Sequence, residues 1–174
     1  VTPTNYGYPP GDIRRYGAVS GTDSTTAIQN AVNVGGTVYI PSGTYITSAT
    51  INLTTVKNHG QRIYGDGPVS NNGAGSSSRS VIQPTVAVTV AFKIDGTSFG
   101  NGLQGCGFEN LTVDMTNMTD TRTSCAFNQI SAWDVYYNNI VPYGFGTNKR
   151  VILFSAGAYV SRVVGGGCFG SIYE

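Results

Sequence analysis

Nine carboxylate side chains give this chain its capacity for acid–base chemistry. Enzymes that cleave a glycosidic bond use two carboxyl groups, a proton donor and a nucleophile or base, about 5–9.5 Å apart. Glu109 and Asp114 flank one apolar, strand-like segment, and Asp134 opens the next. If these segments are neighbours in a parallel sheet, roughly 4.8 Å apart, carboxylates at one register position could form such a pair. Glu109, Asp114 and Asp134 are therefore the candidate catalytic residues; the alternative is that they are turn caps or solvated edge residues.

Aromatic residues surround the third of these acids. Trp133, Tyr136 and Tyr137 combine an apolar ring face with a polar tip, which suits stacking on sugar rings. They are the candidate glycan-binding residues. Because alternate residues of a strand face opposite sides, packing in the core is the alternative for some of them.

Other familiar reactive groupings do not occur in the sequence. The three cysteines, Cys106, Cys125 and Cys168, have no CxxC spacing, which favours buried thiols over a metal site or a disulfide framework. The single histidine, His59, lies in a loop-like stretch without a cluster of further ligands. No phosphate-binding loop, GxSxG or HExxH motif is found. Neither a metal nor a cofactor is expected.

The composition indicates a folded, β-rich protein. Hydrophobic residues make up 40%, too many for a disordered chain. Charged residues make up only 11%, against about 25% in ordinary globular domains. The net charge of +1 gives no basic field to attract nucleic acid, and no stretch reaches the ~20 apolar residues of a membrane span. Nucleic acid and membrane are therefore not expected as partners.

One short helix is predicted ahead of the strands. Four apolar residues recur at i, i+1, i+4 and i+5, the spacing of one helical stripe. They are Ala27, Ile28, Ala31 and Val32. A side-chain oxygen of Asp23, Ser24 or Thr25 can cap the first turn, and Gly35-Gly36 can end the helix.

A weak repeat of strand pairs follows the helix. The first strands of the pairs are residues 91–96, 126–131 and 152–157, and the second strands are 110–115, 134–140 and 159–164. The last two copies are offset by 24 residues, and under this offset Asp114 and Asp134 do not share a register position. Such a repeat is typical of a solenoid, in which each turn buries its inward residues against its neighbours. The residues expected to point inward are Phe92, Ile94, Leu111, Val113, Val135 and Tyr137.

Hairpin signals are scarce, and no further amphipathic helix follows Val34, which argues against a barrel, a sandwich or a helix-crossover sheet. The order of elements over residues 12–53 is more specific. Arg15-Tyr16-Gly17-Ala18, the helix, a Gly-Gly pair and Val38-Tyr39-Ile40-Pro41 follow one another. This order resembles the opening of the pectate-lyase-like superfamily of right-handed parallel β-helices, and most closely the N-terminal part of bacteriophage tailspikes. The gap between Ala18 and the helix is shorter than is usual in that family.

The resemblance implies the fold class and its division. The fold expected is all-β, a right-handed parallel β-helix with a short N-terminal capping α-helix. Residues 1–11, rich in proline, are expected to form an extended lead-in. Residues 12–174 are expected to hold the capping helix and the early rungs, with the coil continuing beyond the chain because an end there would expose an unpaired strand edge.

The same resemblance implies a function. A tailspike binds a bacterial surface polysaccharide and often depolymerises it, as a homotrimer in the virion tail together with other tail proteins. Its cleft usually lies on later rungs or between subunits, so a catalytic pair within these residues stays open. The first alternative is a secreted cellular polysaccharide lyase or a β-1,3-glucanase-like glycoside hydrolase, which residues 110–118 also resemble. The second is a structural virion protein without catalysis.

Overall fold

The computed structural model describes residues 1–54, 56–68, 79–96, 102–144, 146–155 and 162–164. These residues contain one α-helix, α1 (Thr25–Val34), and are otherwise mostly strands. In chain order the strands are β1 (Thr37–Ile40), β2 (Gly43–Thr47), β3 (Ile51–Leu53), β4 (Arg62–Gly65), β5 (Ser80–Pro84), β6 (Val90–Asp95), β7 (Leu103–Gln104), β8 (Gly107–Asp114), β9 (Cys125–Ile130), β10 (Ala132–Trp133), β11 (Tyr136–Tyr143), β12 (Arg150–Phe154) and β13 (Arg162–Val164).

The helix forms where the sequence predicts it. All four residues of the predicted stripe are buried. Asp23, rather than Ser24 at the N-cap position, provides the side-chain cap, because its Oδ1 accepts the Thr25 N–H at 3.0 Å. The helix ends at Gly35, whose φ of 86° is a conformation that glycine adopts without strain.

The described strand pairs are all parallel. One sheet has the order β1-β4-β8-β11-β13, with β5 pairing both β2 and β8, and a second has the order β3-β6-β9-β12. The short strands β7 and β10 form a third. Paired strands therefore lie two to four strands apart in chain order, and the described residues between them contain no α-helix. Phe127 pairs with Ile152 and Tyr136 with Arg162, so the repeat is one to two residues longer than the 24 predicted.

Aromatic rings stack through the core between these sheets. Phe92 lies on Phe127, with ring centroids 5.6 Å apart, and Phe108 lies on Tyr137 at 5.7 Å. Phe108 and Phe127 are in turn 4.7 Å apart, so the four rings form one cluster. The six residues predicted to point inward are all buried, which confirms that part of the pattern.

Two of the longer strands contain a corner that the sequence analysis missed. Asn110 in β8 and Asn139 in β11 both have a φ of 52°. Asparagine tolerates this left-handed conformation better than most residues. The Asn139 amide donates to Asn110 Oδ1 at 2.8 Å, so the two corners are linked. Outward side chains before and after the corner therefore belong to different faces of the protein.

The chain ahead of β1 pairs with the free edges of the first strands. Tyr39 of β1 donates its N–H to the Gly11 carbonyl at 2.9 Å. Ile46 of β2 donates to the Thr22 carbonyl and accepts from the Ser24 N–H. These edges are therefore covered by main-chain groups from residues 11–24.

The helix covers the edge of β3 with a side chain. The Gln29 amide donates to the Asn52 carbonyl at 2.9 Å and accepts the Asn52 N–H at 2.8 Å. One glutamine thereby stands in for a neighbouring peptide group. Among the described residues, no helix has the length and apolar character needed to cross a membrane.

Candidate functional site

Outward side chains of β1, β4, β8 and β11 form a polar, aromatic face ahead of the asparagine corner. We call it the first outer face, and it consists of Tyr39, Arg62, Tyr64, Glu109 and Tyr136. Their positions follow from strand alternation, since the intervening residues Ile63, Phe108 and Tyr137 are buried. The register places Tyr39, Tyr64 and Glu109 in one row across three strands.

Glu109 is the centre of the hydrogen bonds on this face. The Arg62 guanidinium donates to both of its oxygens, Nε to Oε1 at 2.7 Å and Nη2 to Oε2 at 2.6 Å. The Tyr136 hydroxyl donates to Oε1 at 2.8 Å. A bidentate pair with a third donor holds the carboxylate in one orientation.

A glycine in β8 makes room for the Tyr136 ring. Gly107 pairs with Tyr136 in the register, and a Cβ at Gly107 would overlap that ring. The ring can therefore lie against the β8 backbone, which brings its hydroxyl to Glu109. No other side chain at position 107 would allow this contact without a shift of the ring.

The electrostatics of the face disfavour proton donation by Glu109. The hydrogen bonds from Arg62 lower the Glu109 pKa, against the opposing effect of burial, and Tyr136 adds to the lowering. Burial, followed by the hydrogen bond to Glu109, raises the pKa of Tyr136. At neutral pH the face therefore presents an ionised carboxylate and a protonated phenol. A glycosidase proton donor needs the opposite, a carboxyl group with a raised pKa.

The aromatic side of the face is built on β1 and β4. The Tyr39 and Tyr64 rings are 5.1 Å apart, and the Arg62 guanidinium lies 4.6 Å from the Tyr64 centroid. The Tyr39 hydroxyl donates to Asp66 Oδ1 at 2.6 Å, and burial together with this hydrogen bond raises its pKa to about 12. Ser42 donates to the other Asp66 oxygen through its N–H and its hydroxyl, at 2.8 and 2.6 Å.

The structure separates the three candidate catalytic acids. Asp114, on β8 beyond the corner, accepts from Gln83 Nε2 at 2.8 Å and from the Thr116 N–H at 3.0 Å. Asp134 is exposed in the turn between β10 and β11 and has a φ of 54°. The register pairs Asp114 with Tyr143 and not with Asp134. The structure thus places Asp114 on a different face from Glu109, and Asp134 in a turn.

The three aromatic candidates also occupy different environments. Tyr136 belongs to the first outer face, where it contacts Glu109. Tyr137 is only 2% exposed and packs in the core cluster, so its ring offers no face to a glycan. Trp133 is half-buried on the short strand β10, where it pairs with Gln104 of β7.

Arg62 and Tyr64 are the members of the face that sequence reasoning did not select. Their alternation with Ile63 in Arg62-Ile63-Tyr64 indicates two outward side chains. Their neighbour Glu109 lies 45 or more positions later, beyond residues 69–78 and 97–101, which fall outside the described residues. Because of that long separation, the sequence does not reveal the register between β4 and β8 or the ion pair between Arg62 and Glu109.

The remaining reactive residues occupy ordinary structural positions. Cys106 and Cys125 are buried, unpaired thiols, and burial raises their pKa values to about 11 and about 12. Cys168 lies outside the described residues. His59 is exposed, and its Nδ1 accepts the Gln104 N–H at 3.2 Å. Within the described ranges no group of three or more His, Cys, Asp or Glu residues could hold a metal ion.

Comparisons with solved structures show the fold. The pre-mature gene product 12 of bacteriophage phi29 has a TM-score of 0.59 at 19% identity, over 75% of this chain and 17% of that protein. The A-module of the mannuronan C-5 epimerase AlgE6 from Azotobacter vinelandii has a TM-score of 0.58 at 19% identity, over 84% of this chain and 40% of that one. The A-module of AlgE4 from the same organism has a TM-score of 0.53 at 18% identity, over 88% of this chain and 49% of that one. This chain therefore spans less than half the length of each.

The sequence comparison gives the family. No curated protein matches the chain significantly. Residues 12–161 match the family described as rhamnogalacturonase A/epimerase, pectate lyase-like, which confirms the resemblance that the segment 12–53 predicted. The chain therefore belongs to the pectate-lyase-like rhamnogalacturonase A/epimerase family.

Proposed function

We propose that this chain is the early part of a right-handed parallel β-helix in a carbohydrate-active phage tail protein, and that its first outer face binds a bacterial surface polysaccharide. The parallel pairing of strands separated by several others is the arrangement that a β-helix requires. The one α-helix of the described residues lies at the strand edges, which fits a cap on the first rung. The likeness to a phage gene product and to two polysaccharide-epimerase modules supports both the phage origin and the carbohydrate class.

The observation that carries the binding role is the composition of the first outer face. Two tyrosine rings 5.1 Å apart, a guanidinium, a carboxylate and a third tyrosine lie within one patch of the sheet. Aromatic rings offer apolar surface to the C–H face of a sugar, while phenol and carboxylate groups exchange hydrogen bonds with its hydroxyls. Successive rungs repeat about every 4.8 Å, so a glycan lying across them meets a new side chain at each rung.

The proposal for these residues is binding, and depolymerisation is assigned to no pair among them. Glu109 is held ionised, and it shares no hydrogen-bond partner with Asp114 or Asp134 in the described part of the chain. If the whole protein cleaves its glycan, we expect the acid and base to lie elsewhere. A homotrimeric assembly, a place in the virion tail and contacts with other tail proteins belong to this proposal as its oligomeric and cellular setting.

Binding to a panel of capsular polysaccharides and lipopolysaccharide O-antigens tests the proposal. We expect at least one of them to bind, and Tyr64→Ala to weaken that binding by about tenfold, since one aromatic stacking contact contributes up to roughly this much. Tyr6→Ala is the matched control, because Tyr6 is a 71% exposed tyrosine that is not part of the face and whose ring contacts Arg15. Light scattering of the same sample tests the trimer. Binding that Tyr64→Ala leaves unchanged would contradict the role of the face.

A cellular polysaccharide enzyme is the second candidate function. The family description and the two epimerase modules favour it. Release of reducing ends would indicate a hydrolase, and new ultraviolet absorbance from an unsaturated sugar would indicate a lyase. Incorporation into virions without binding or turnover of any glycan in the panel would instead support a purely structural virion protein.

A further inference from the structure

Beyond the asparagine corner, a second row of outward side chains crosses β2, β5, β8 and β11. We call it the second outer row, and it consists of Ile46, Gln83, Asp114 and Tyr143. The register aligns Ile46 with Gln83, places Asp114 one residue after the Ile82–Val113 pair, and aligns Asp114 with Tyr143. None of these residues takes part in the first outer face.

Tyr143 ends this row with an open aromatic ring. It is 58% exposed, whereas most large apolar and aromatic side chains of the described strands are buried. Among the described residues its hydroxyl makes no hydrogen bond. An exposed ring with an unengaged hydroxyl is a surface on which a sugar can stack while gaining a hydrogen bond.

Asp114 lies beside that ring with part of its hydrogen-bonding capacity in use. A carboxylate has about four acceptor positions. One position on each oxygen is taken, Oδ2 by Gln83 Nε2 at 2.8 Å and Oδ1 by the Thr116 N–H at 3.0 Å. These two bonds fix the carboxylate in place and leave acceptors on both oxygens, which suits two neighbouring sugar hydroxyls.

The charges at the row favour a neutral sugar. Lys149, a cation of the described residues, lies near the row, and its ammonium donates to the carbonyls of Met115, Thr116 and Gly144 at 2.7, 3.5 and 3.2 Å. An ammonium has three donors, so these carbonyls occupy them. The carboxylate of a uronic acid would therefore meet the like charge of Asp114 at contact, while Lys149 could attract it through its charge but not donate to it directly.

We propose that Gln83, Asp114 and Tyr143 form a second carbohydrate site, specific for neutral hexose units, on a face different from the first. Tyr143 stacks on one sugar ring, and Asp114 accepts hydrogen bonds from two adjacent hydroxyls. Gln83 holds the carboxylate and adds its own amide oxygen as an acceptor. This inference rests on the proposed function for the class of ligand, but its position and its selectivity are independent of the first outer face.

Fluorine NMR of the full chain labelled with 3-fluorotyrosine tests the proposal. The Tyr143 signal is assigned by its loss in Tyr143→Phe, and the Tyr64 and Tyr136 signals report the first outer face. The probes are hexasaccharides of β-1,4-, α-1,4- and β-1,3-linked glucose, with a mannuronan hexasaccharide as the anionic counterpart. We expect a neutral hexasaccharide to shift the Tyr143 signal and the mannuronan to leave it in place.

Calorimetry then measures how tightly each variant binds the hexasaccharide that shifts the Tyr143 signal. Tyr143→Ala and Asp114→Asn should each weaken binding by about five- to tenfold, from the loss of one stacking contact or one hydrogen-bonding pair. Tyr6→Ala should leave it unchanged, and an unmoved signal from the buried Tyr137 verifies folding in every variant.

Two results would overturn the second site: no neutral hexasaccharide shifts the Tyr143 signal, or mannuronan shifts it equally. Shifts at Tyr64 and Tyr136 without one at Tyr143 would reject the second site alone. A Tyr143 shift without shifts at Tyr64 and Tyr136 would support the second site, and the polysaccharide panel would still decide the role of the first outer face.

Discussion

Hydrogen bonds from neighbouring side chains keep carboxylates of this protein ionised. Glu109 accepts three hydrogen bonds from Arg62 and Tyr136 and is held ionised. The pKa of Asp66 is also lower than its ordinary value, because burial, which raises it, is outweighed by the hydrogen bonds from Ser42 and Tyr39. Such groups position other side chains and ligands, whereas acid catalysis requires a carboxyl group that keeps its proton near neutral pH.

The lowered pKa of Glu109 makes a contribution to stability that depends on pH. A folded-state pKa below the ordinary value of 4.5 means that the contribution is present above that pH and is lost as pH falls through the folded-state value. Glu109→Gln should therefore lower the free energy of unfolding by about 1 kcal/mol at neutral pH, a modest value because Arg62 is partly exposed. The difference from wild type should shrink below pH 4.5, as measured by urea unfolding across pH.

Arg62→Gln supplies the matched background for this measurement. Without the guanidinium, Glu109→Gln should change the pH profile much less, since the main cause of the lowered pKa is gone. A destabilisation by Glu109→Gln that stays constant from neutral to acid pH would show that the ion pair is not its source.

Sequence reasoning at this scale identified single residues better than their partners. It selected Glu109 and Tyr136 separately, and the structure brings them within 2.8 Å. It also offered Tyr137 as both core and glycan-binding residue, and burial assigns it to the core. The contact with Arg62 depends on a register between distant strands, which no local pattern encodes.

At the scale of elements, the helix α1 has two functions in the fold. Its apolar stripe packs on the core, and its Gln29 side chain pairs with the edge of β3. At the C-terminal end of the helix, the Val32 carbonyl accepts hydrogen bonds from two buried side-chain amides. Asn58 and Gln61 both donate to it at 3.1 Å. The helix is therefore joined to the strands by specific polar bonds as well as by apolar contact.

Removing the Gln29 amide should expose the edge of β3. We expect Gln29→Ala to destabilise the protein by about 1–2 kcal/mol, since the Asn52 N–H and carbonyl both lose their partner. Hydrogen exchange should accelerate at the Asn52 amide. Thr26→Ala, at an exposed position of the same helix, is the control and should change neither quantity. Unaltered exchange at Asn52 in Gln29→Ala would count against the edge role.

The helix and the first strand were predictable from local patterns, while the asparagine corner was not. The helical stripe and the Gly-Gly stop act within a few residues, so the sequence displays them directly. Asn110 and Asn139 bend their strands without interrupting the apolar pattern around them. The sequence around each asparagine therefore has the pattern of an uninterrupted strand, and the corner is evident only from the structure.

At the scale of the molecule, the core is continuous from strand to strand. Phe92, Phe108, Phe127 and Tyr137 come from four different strands and contact one another. The sequence predicted the inward positions because alternation is a local property. It gave the length of the repeat only approximately, since insertions between strands change the spacing from one copy to the next.

Loss of one ring from this cluster should lower the stability of the whole protein. Phe127 contacts the other three rings, so Phe127→Ala should lower the free energy of unfolding by about 3–5 kcal/mol. Far- and near-ultraviolet circular dichroism should still follow one shared transition at a lower midpoint. Tyr6→Ala, at an exposed ring, should leave the midpoint in place. Separate transitions for the two signals in Phe127→Ala would indicate that the strands unfold independently.

The partners supplied to the first three strands have a consequence for association between molecules. An uncovered parallel edge is a template onto which another chain can add, and repeated addition produces fibrils. Here Gly11, Thr22 and Gln29 already occupy hydrogen-bonding positions along that border. Another chain could therefore add a strand at this edge only by displacing hydrogen bonds that the protein makes with its own residues.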